Sequence, residues 1–357
     1  MSFFDEFGGE RNFNLVGKDD AMKAAQYQGS QRVRVIEKSL RSLGDGEILL
    51  NVDVCGICGT DVHIVEGTSR SSPPVILGHE YAGVVADAGH GTSFAVGDRV
   101  GVDPNIACGV CFYCRRGLVH LCTALKALGV DIDGGMAESS IVPVSQLYRL
   151  PAGFPPEQSA FIEPVSCAIH GIDLARIRTG DTVAILGGGT IGLLMLQLAR
   201  ASGAARIIVS EPLPRKRLLA RTLGADLALD PGTDDVAAAV RDTTGVGADV
   251  VIECVGTPRT AELALGLARR GGTVEFFGVC PMGMTIPMEP NAVYARELTI
   301  VGSYVNPHTY GRAISVLEAG LVQVDSFQIK SFPLDSVEEA LACQREGRAT
   351  KSIVRPQ

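Results

Sequence analysis

Apolar positions change their spacing along this chain, and the changes divide it. From about 31 to 105, short apolar runs are broken by Gly and Pro: Arg32-Val-Arg-Val-Ile, Glu47-Ile-Leu-Leu-Asn-Val-Asp-Val, Tyr81-Ala-Gly-Val-Val-Ala and Asp98-Arg-Val-Gly-Val. Such runs, closed by turn formers, predict strands and a mostly β unit. Between about 156 and 178 the spacing turns helical. At Thr182-Val-Ala-Ile-Leu the chain is apolar at every position, then passes through glycines into an apolar helix from Ile191 to Ala201. Strands and helices then alternate: Arg206-Ile-Ile-Val-Ser-Glu, Leu218 to Leu223, Asp249-Val-Val-Ile-Glu-Cys, Ala261 to Arg269, Gly272-Thr-Val-Glu-Phe-Phe and Leu298-Thr-Ile-Val-Gly. Alternation predicts a parallel sheet, because each parallel strand needs a crossover helix before the next. After Ser303 a helix from Tyr310 to Ala319, a stretch around Phe327-Gln-Ile, a helix from Ser336 and a strand-like Ser352-Ile-Val-Arg are expected to return to the β unit. The expected partition is an extension at 1–21, a β-rich unit from 22–172 with 304–357, and an α/β unit at 173–303.

Composition narrows the chemistry. With 357 residues and 46% apolar content, the chain can fill two cores. Its net charge of −8 argues against a nucleic-acid partner, whose phosphates demand a basic face. No apolar run is long enough to span a bilayer, and the N-terminal residues lack the basic and apolar regions of a signal peptide, so a reducing cytoplasm is the expected location. Ten cysteines would then persist as thiols or metal thiolates.

Four of them, Cys108, Cys111, Cys114 and Cys122, follow one another at spacings of 3, 3 and 8. Four thiolates so close supply the corners of a closed tetrahedral Zn²⁺ shell, which leaves no open position for substrate and so reads as structural. Further on, Gly187-Gly188-Gly189-Thr190-Ile191-Gly192 satisfies G-x-G-x-x-G between a predicted strand and a predicted helix. There the glycines permit a tight turn, close approach of a pyrophosphate and helix-to-strand packing, with the helix N-terminus offering free N–H groups. Glu211 ends the next strand, 19 residues after Gly192, where a carboxylate accepts ribose hydroxyls and repels a 2′-phosphate. That favours NAD; Ser210, Arg215, Lys216 and Arg217 keep NADP open.

A second group precedes both. Cys55-Gly-Ile-Cys58-Gly-Thr-Asp61-Val-His63 and Gly78-His79-Glu80 bring thiolate, imidazole and carboxylates into 26 residues. Three protein ligands would leave a fourth position at which zinc acidifies water or an alcohol. Taken alone, the same residues also suit a redox pair or a packed core.

With these motifs together, the chain from about Met22 to Gln357 resembles the zinc-containing medium-chain dehydrogenase/reductase superfamily. The resemblance rests on Gly56-Ile-Cys58-Gly-Thr-Asp-Val-His63, Gly78-His79-Glu80-Tyr-Ala-Gly83, the four-cysteine segment and the glycine turn. It implies a GroES-like β domain that holds two zincs, a doubly wound Rossmann domain, and a small-molecule alcohol substrate in the cleft between them. By the same resemblance Cys58 and His79 are zinc ligands, Glu80 is a ligand or a close carboxylate, and Glu163 approaches the metal directly or through water. Thr60 takes the substrate proton and His63 passes it outward; their alternatives are a turn hydroxyl and a core histidine. Asp61 could instead orient a ligand.

The polar ligand set and Tyr294-Ala-Arg296-Glu297-Leu-Thr-Ile resemble the sorbitol-type, polyol branch, in which the arginine faces substrate; Arg296 could equally pair with Glu297 or Glu275. Tyr304-Val-Asn-Pro-His308 departs from that branch, which leaves threonine, butanediol and aldose substrates open. A non-catalytic, zinc-stabilised nucleotide-binding protein and a zinc-ribbon nucleic-acid binder are the readings from other classes. The resemblance also implies a homo-oligomer, tetramer or dimer, with residues near Val279 to Val301 as its interface.

Overall fold

A computed structural model describes residues 21–357 of the chain, so the expected extension at 1–21 lies outside the described residues except for Ala21. Strands paired with Glu47–Gly56 organise the first part. That strand runs antiparallel to Glu80–Asp87, Ser139–Pro143 and Lys351–Arg355, within a seven-stranded sheet that also takes in Arg99–Val102, Leu147–Arg149 and Ile329–Pro333. Register places Gly56 opposite both Glu80 and Ile353, so residues 24 and 297 positions away meet at one end of the sheet. A side chain at Gly56 would strike Glu80 and come within 2.9 Å of the Lys351 Cε, so this crossing needs a glycine.

The six-stranded sheet is parallel and ordered Leu227–Leu229, Arg206–Ser210, Thr182–Leu186, Ala248–Glu253, Ala268–Phe276, Thr299–Gly302. Numbered along the chain this is 3-2-1-4-5-6, the doubly wound order of a dinucleotide fold. Thr182–Leu186 is buried at all five positions because helices cover both faces of a central parallel strand.

The helix Ile162–Ala175 joins the two parts. Its apolar stripe, Ile162, Val165, Ala168, Ile169, Ile172 and Ala175, has the period of a helix face and packs into the core of the α/β unit. That core also takes in Phe154 and Phe161 before it, and Tyr310, Ala313, Ile314, Leu317 and Phe327 after the parallel sheet. The expected boundaries at 172/173 and 303/304 therefore cut through one core. Helix Tyr310–Glu318 stays with the nucleotide fold because its apolar face meets the linking helix, and the chain rejoins the sheet of the β unit at Ile329–Pro333. Among the described residues no helix is long and apolar enough to cross a membrane.

Candidate active site

Cys58 is the N-cap of helix Gly59–Glu66, His79 immediately precedes the strand that Glu80 opens opposite Gly56, and their ligand atoms lie within 4.8 Å of one another. Three properties fit a metal. The donors are a thiolate sulfur, an imidazole nitrogen and a carboxylate oxygen, a set suited to zinc. His79 and Glu80 are buried, so their polar atoms are short of water. Finally, the Nδ1 of His79 is 3.5 Å from Oδ1 of Asp61, longer than a good hydrogen bond, and both atoms are buried without another partner. A small closure there would give the imidazole the carboxylate partner that metal-bound histidines keep. Asp61 is positioned for this by its other oxygen, which accepts from the Cys58 backbone N–H at 2.8 Å. Burial works to lower the His79 pKa, but Asp61 and Cys58 outweigh it and raise it well above the ordinary value. Cys55, by contrast, is a buried thiol whose Sγ faces the carbonyl of Gly56.

The electrostatics of the site depend on Lys351, which the sequence reading missed. It opens the last strand, its side chain is 2% exposed, and its Nζ forms an ion pair with Oε2 of Glu80, itself 2% exposed. The ammonium also stands 5.9 Å from the centre of the Phe161 ring. Burial opposes its charge, yet Glu80, Cys58 and Glu163 together hold its pKa above the ordinary value. A lysine beginning a run of buried strand residues was the only signal in the sequence; its partner is 271 residues away.

Glu163, on the linking helix, is buried beside this group without joining its inner set. Burial raises its pKa to about 7, with Glu80 adding to the rise and His79 and Lys351 opposing it, while its Oε1 accepts from the Cys167 thiol at 3.2 Å. The Thr60 hydroxyl is 3.6 Å from the Cys58 sulfur. His63 lies one turn further along the same helix, exposed, with Nδ1 3.4 Å from the Thr68 hydroxyl.

The cysteine segment forms a lobe of two 3₁₀ turns. Sulfur separations are 4.0 Å for Cys108–Cys114 and 3.5 Å for Cys111–Cys114, and these bracket the edge of about 3.8 Å that a tetrahedron with Zn–S bonds near 2.3 Å would have. Backbone N–H groups of Cys108 and Ala124 point at the Cys122 sulfur, and those of Cys114 and Thr123 bring the Cys111 thiol down to about 5.

At the nucleotide turn, Gly187 has φ 101°, and a side chain on Gly192 would strike the Gly187 carbonyl. Gly189 caps helix Thr190–Ala201 and has open space beside it, which leaves the helix N-terminus free to meet a phosphate. The Thr190 hydroxyl donates to the Thr350 carbonyl, tying the turn to the last strand, and Ile191 packs on the core. Glu211 is buried and faces this turn: Oε2 accepts from Gly188 N–H at 2.8 Å and Oε1 from Leu213 N–H at 2.9 Å. Arg215 and Lys216 line a neighbouring cavity of about 260 Å³ with Gln328, to which Arg215 donates at 2.8 Å. Burial lowers the Lys216 pKa, with Glu211 opposing. Arg217 donates to the Glu211 and Pro212 carbonyls and pairs with Asp230.

Arg296 departs from its expected place at the substrate. Its guanidinium donates to the Leu265 and Ala268 carbonyls, where helix Pro258–Leu267 ends. Those carbonyls sit at the edge of the parallel sheet where strands begin, opposite to the crevice at their carboxyl ends. Unpaired helix-end carbonyls attract a guanidinium, and Arg296 serves there in place of a substrate contact. Neither Glu297 nor Glu275 forms an ion pair with it; Glu275 is fully buried and both its carboxylate oxygens lack a partner.

A lobe able to hold one metal, a mixed cluster able to hold a second and a dinucleotide turn thus lie on one chain. Residues 44–152 match the alcohol dehydrogenase GroES-like domain and 190–319 the zinc-binding dehydrogenase domain. The chain belongs to the zinc-containing medium-chain dehydrogenase/reductase superfamily and is a zinc-dependent NAD(P) dehydrogenase. It is 38% identical over 331 residues to an L-threonine 3-dehydrogenase of Pyrococcus horikoshii, covering 89% of this chain and 94% of that one. It is 32% identical over 340 residues to D-arabinitol dehydrogenase 1 of Uromyces fabae, covering 94% and 97%. Among solved structures, a Sinorhizobium meliloti 1021 protein described as a zinc-binding dehydrogenase, bound to NADP, superposes with a TM-score of 0.91 at 40% identity, covering 94% of this chain and all of that one.

Proposed function

We propose that the chain oxidises a secondary alcohol of a polyol or sugar-alcohol substrate with NAD⁺, using one zinc at Cys58, His79 and Glu80 and a second, structural zinc at Cys108, Cys111, Cys114 and Cys122. The observation that carries the reading is the convergence of a sulfur, a nitrogen and an oxygen donor within 4.8 Å, ringed by the buried charges of Asp61, Lys351 and Glu163. Bound zinc would act there as a Lewis acid that makes the substrate hydroxyl more acidic. In the balanced reaction the carbinol C–H bond breaks and its electron pair leaves as hydride for the nicotinamide, while the O–H proton leaves for solvent and a C=O bond forms.

The side chains divide this work. Asp61 orients the imidazole and the Cys58 turn. Lys351 neutralises Glu80, which lowers the cost of collecting anionic donors in a buried place. Glu163, with a pKa near 7, can receive or return a proton near neutral pH, directly or through water. Thr60 takes the substrate proton beside Cys58, and His63, one turn on and exposed, hands it to solvent.

Glu211 supports NAD over NADP, because its buried carboxylate stands where a 2′-phosphate would need room and positive charge. Arg215 and Lys216 beside it, and the NADP in the S. meliloti neighbour, support the other cofactor. L-Threonine is the second substrate reading, favoured by the P. horikoshii relative. Exposed Val279, Met282 and Tyr294, 79%, 90% and 82% accessible, support self-association as a dimer or tetramer near the strand Thr299–Gly302, which edges the parallel sheet.

The test is absorbance at 340 nm with zinc-loaded protein, NAD⁺ or NADP⁺, and a panel of alditols, L-threonine, 2,3-butanediol, aldoses and simple alcohols. The reading expects alditol oxidation with NAD⁺ that disappears in Cys58→Ala. Preference for L-threonine selects the second substrate, and preference for NADP⁺ overturns the role given to Glu211.

A further inference from the structure

Away from the metal cluster, three of the six histidines gather from three separate segments. His120 lies on the 3₁₀ turn between the third and fourth cysteines of the lobe, His170 on the linking helix, and His308 in the loop before helix Tyr310–Glu318. The rings of His120 and His170 are 5.1 Å apart at 67°. His308 is brought beside this pair by its neighbours in sequence, Asn306, whose amide donates to Asp103, and Thr309, which bonds to Ser166 of the linking helix; burial chiefly lowers the His120 pKa, and His308 adds to that. Within this group the His120 Nδ1 is buried without a hydrogen-bond partner.

The surroundings hold Asp103 and the His308 loop in place. Asp103 accepts from the Asn105 backbone N–H at 3.1 Å and the Asn306 amide at 3.2 Å. Thr309 donates to the Ser166 carbonyl at 2.7 Å, which pins the His308 loop to the linking helix. Within that loop both Val305 and His308 take left-handed backbone, at φ 47° and 56°, a conformation that costs side-chain-bearing residues free energy and persists only where the surroundings impose it.

The group is also continuous with the reacting cluster. Glu163, Cys167 and His170 fall at i, i+4 and i+7, one face of the linking helix. Cys167 bonds to Glu163 and feels the charges of both Cys58 and Asp103, so this face leads from the metal donors to the histidines. Seven residues of helix advance about 10 Å, the span of a linear five- or six-carbon chain with a hydrogen bond at its end. Cys167, His120 and His170 are each only partly covered. Among the described residues the three imidazoles do not form a metal-holding cluster. Imidazoles that donate and accept, beside a carboxylate, match hydroxyl groups, which also do both.

We propose that His120, His170 and His308, backed by Asp103, form a distal subsite that holds the terminal hydroxyls of a linear five- or six-carbon polyol while its reacting carbinol sits at Cys58, His79 and Glu80. The subsite rests on reading that cluster as the reacting centre. It selects for chain length: a short diol reaches the donors but leaves the histidines without a partner.

The experiment compares kcat/KM of zinc-loaded enzyme, with its preferred cofactor, for D-sorbitol, D-arabinitol and 2,3-butanediol, in the wild type and in His170→Ala, His170→Gln and His308→Ala. The alditols should exceed the diol at least tenfold in the wild type. Each alanine variant should lose about tenfold more on the alditols than on the diol, with the loss in KM, and His170→Gln should recover part of it. His308 is exposed, so its variant tests the subsite should His170→Ala fail to fold. Equal losses on short and long substrates, or a wild type that prefers the diol, would overturn the subsite while leaving the reacting centre in place. Absence of turnover on every alcohol overturns both.

Discussion

The two metal-donor groups of this chain are built on opposite plans. The cysteine lobe draws four identical donors from 15 consecutive residues, with Cys108 exposed and backbone N–H groups as its supports. The Cys58 cluster draws three different donors from two strand–loop segments and is enclosed by the charge of Asp61 in the adjoining helical turn and by Glu163 and Lys351 from further off. Homogeneous sulfur closes a shell and fixes a loop, whereas mixed donors among buried charges leave a position open and set proton affinities around it. The lobe's identity resides in spacing; the cluster's resides in a three-dimensional charge balance.

Removing one sulfur from each group separates them most sharply. Cys58→Ala should cut kcat by about 10³-fold or more, since a Lewis acid supplies several kcal/mol of transition-state stabilisation, while thermal unfolding stays close to wild type and bound zinc falls from two to one per chain. Cys111→Ala should also cost one zinc but reverse the pattern: a midpoint lower by about 5 °C or more, with kcat at 25 °C within about tenfold. Atomic absorption, calorimetry and steady-state rates on both variants decide it. Equal effects on rate and on stability in the two variants would erase the distinction.

Lys351 tests the charge balance within the cluster. Lys351→Met strands the Glu80 carboxylate in a buried place and should cost about 3–5 kcal/mol in chemical denaturation. Adding Glu80→Gln should return part of that stability without returning activity. A Lys351→Met protein as stable as wild type would mean that Glu80 is not carrying an uncompensated charge.

Glu275 supplies the contrast within the parallel sheet: a buried carboxyl with neither donor nor cation. Burial alone raises its pKa from 4.5 to about 8. Because the folded state holds the proton more tightly, its contribution to stability is complete below the unfolded pKa and is lost as pH rises from about 4.5 through 8. Glu275→Gln should remove that decline, worth on the order of a few kcal/mol, so that the wild type weakens between about pH 4.5 and 8 in urea titrations and the variant does not. Parallel curves would place a partner or water at Glu275 in solution.

These contrasts also explain what could be read in advance. The glycine turn, the cysteine lobe and the apolar strand Thr182–Leu186 were legible because each depends on neighbours in sequence. Cys58 and His79 stood out as candidate metal donors only once the other motifs stood beside them. Lys351 was not, because an ion pair formed across 271 residues leaves no local pattern. Arg296 had a familiar local context, yet the carbonyls it satisfies belong to a helix 28 or more residues earlier. Which core receives the helix Ile162–Ala175 was not legible, because its apolar stripe shows that the helix is half buried without showing what it packs against.

The smallest effect concerns the outer edge of the cluster. Thr60 and His63 share one face of helix Gly59–Glu66, the first beside the Cys58 sulfur and the second exposed next to Thr68 and 3.8 Å from Glu66. In the proposed relay a proton leaving Thr60 reaches bulk water through His63, and because that side chain already stands in solvent, other carriers can replace it. His63→Asn should therefore lower kcat only about tenfold, less than the full effect of a general base, and added imidazole should restore much of the loss. Thr60→Val removes the half-buried hydroxyl beside the Cys58 sulfur and should fall further, with less rescue than His63→Asn. If imidazole rescues neither variant, or if both change KM and leave kcat alone, the proton leaves by another route and the face of this helix is a binding surface.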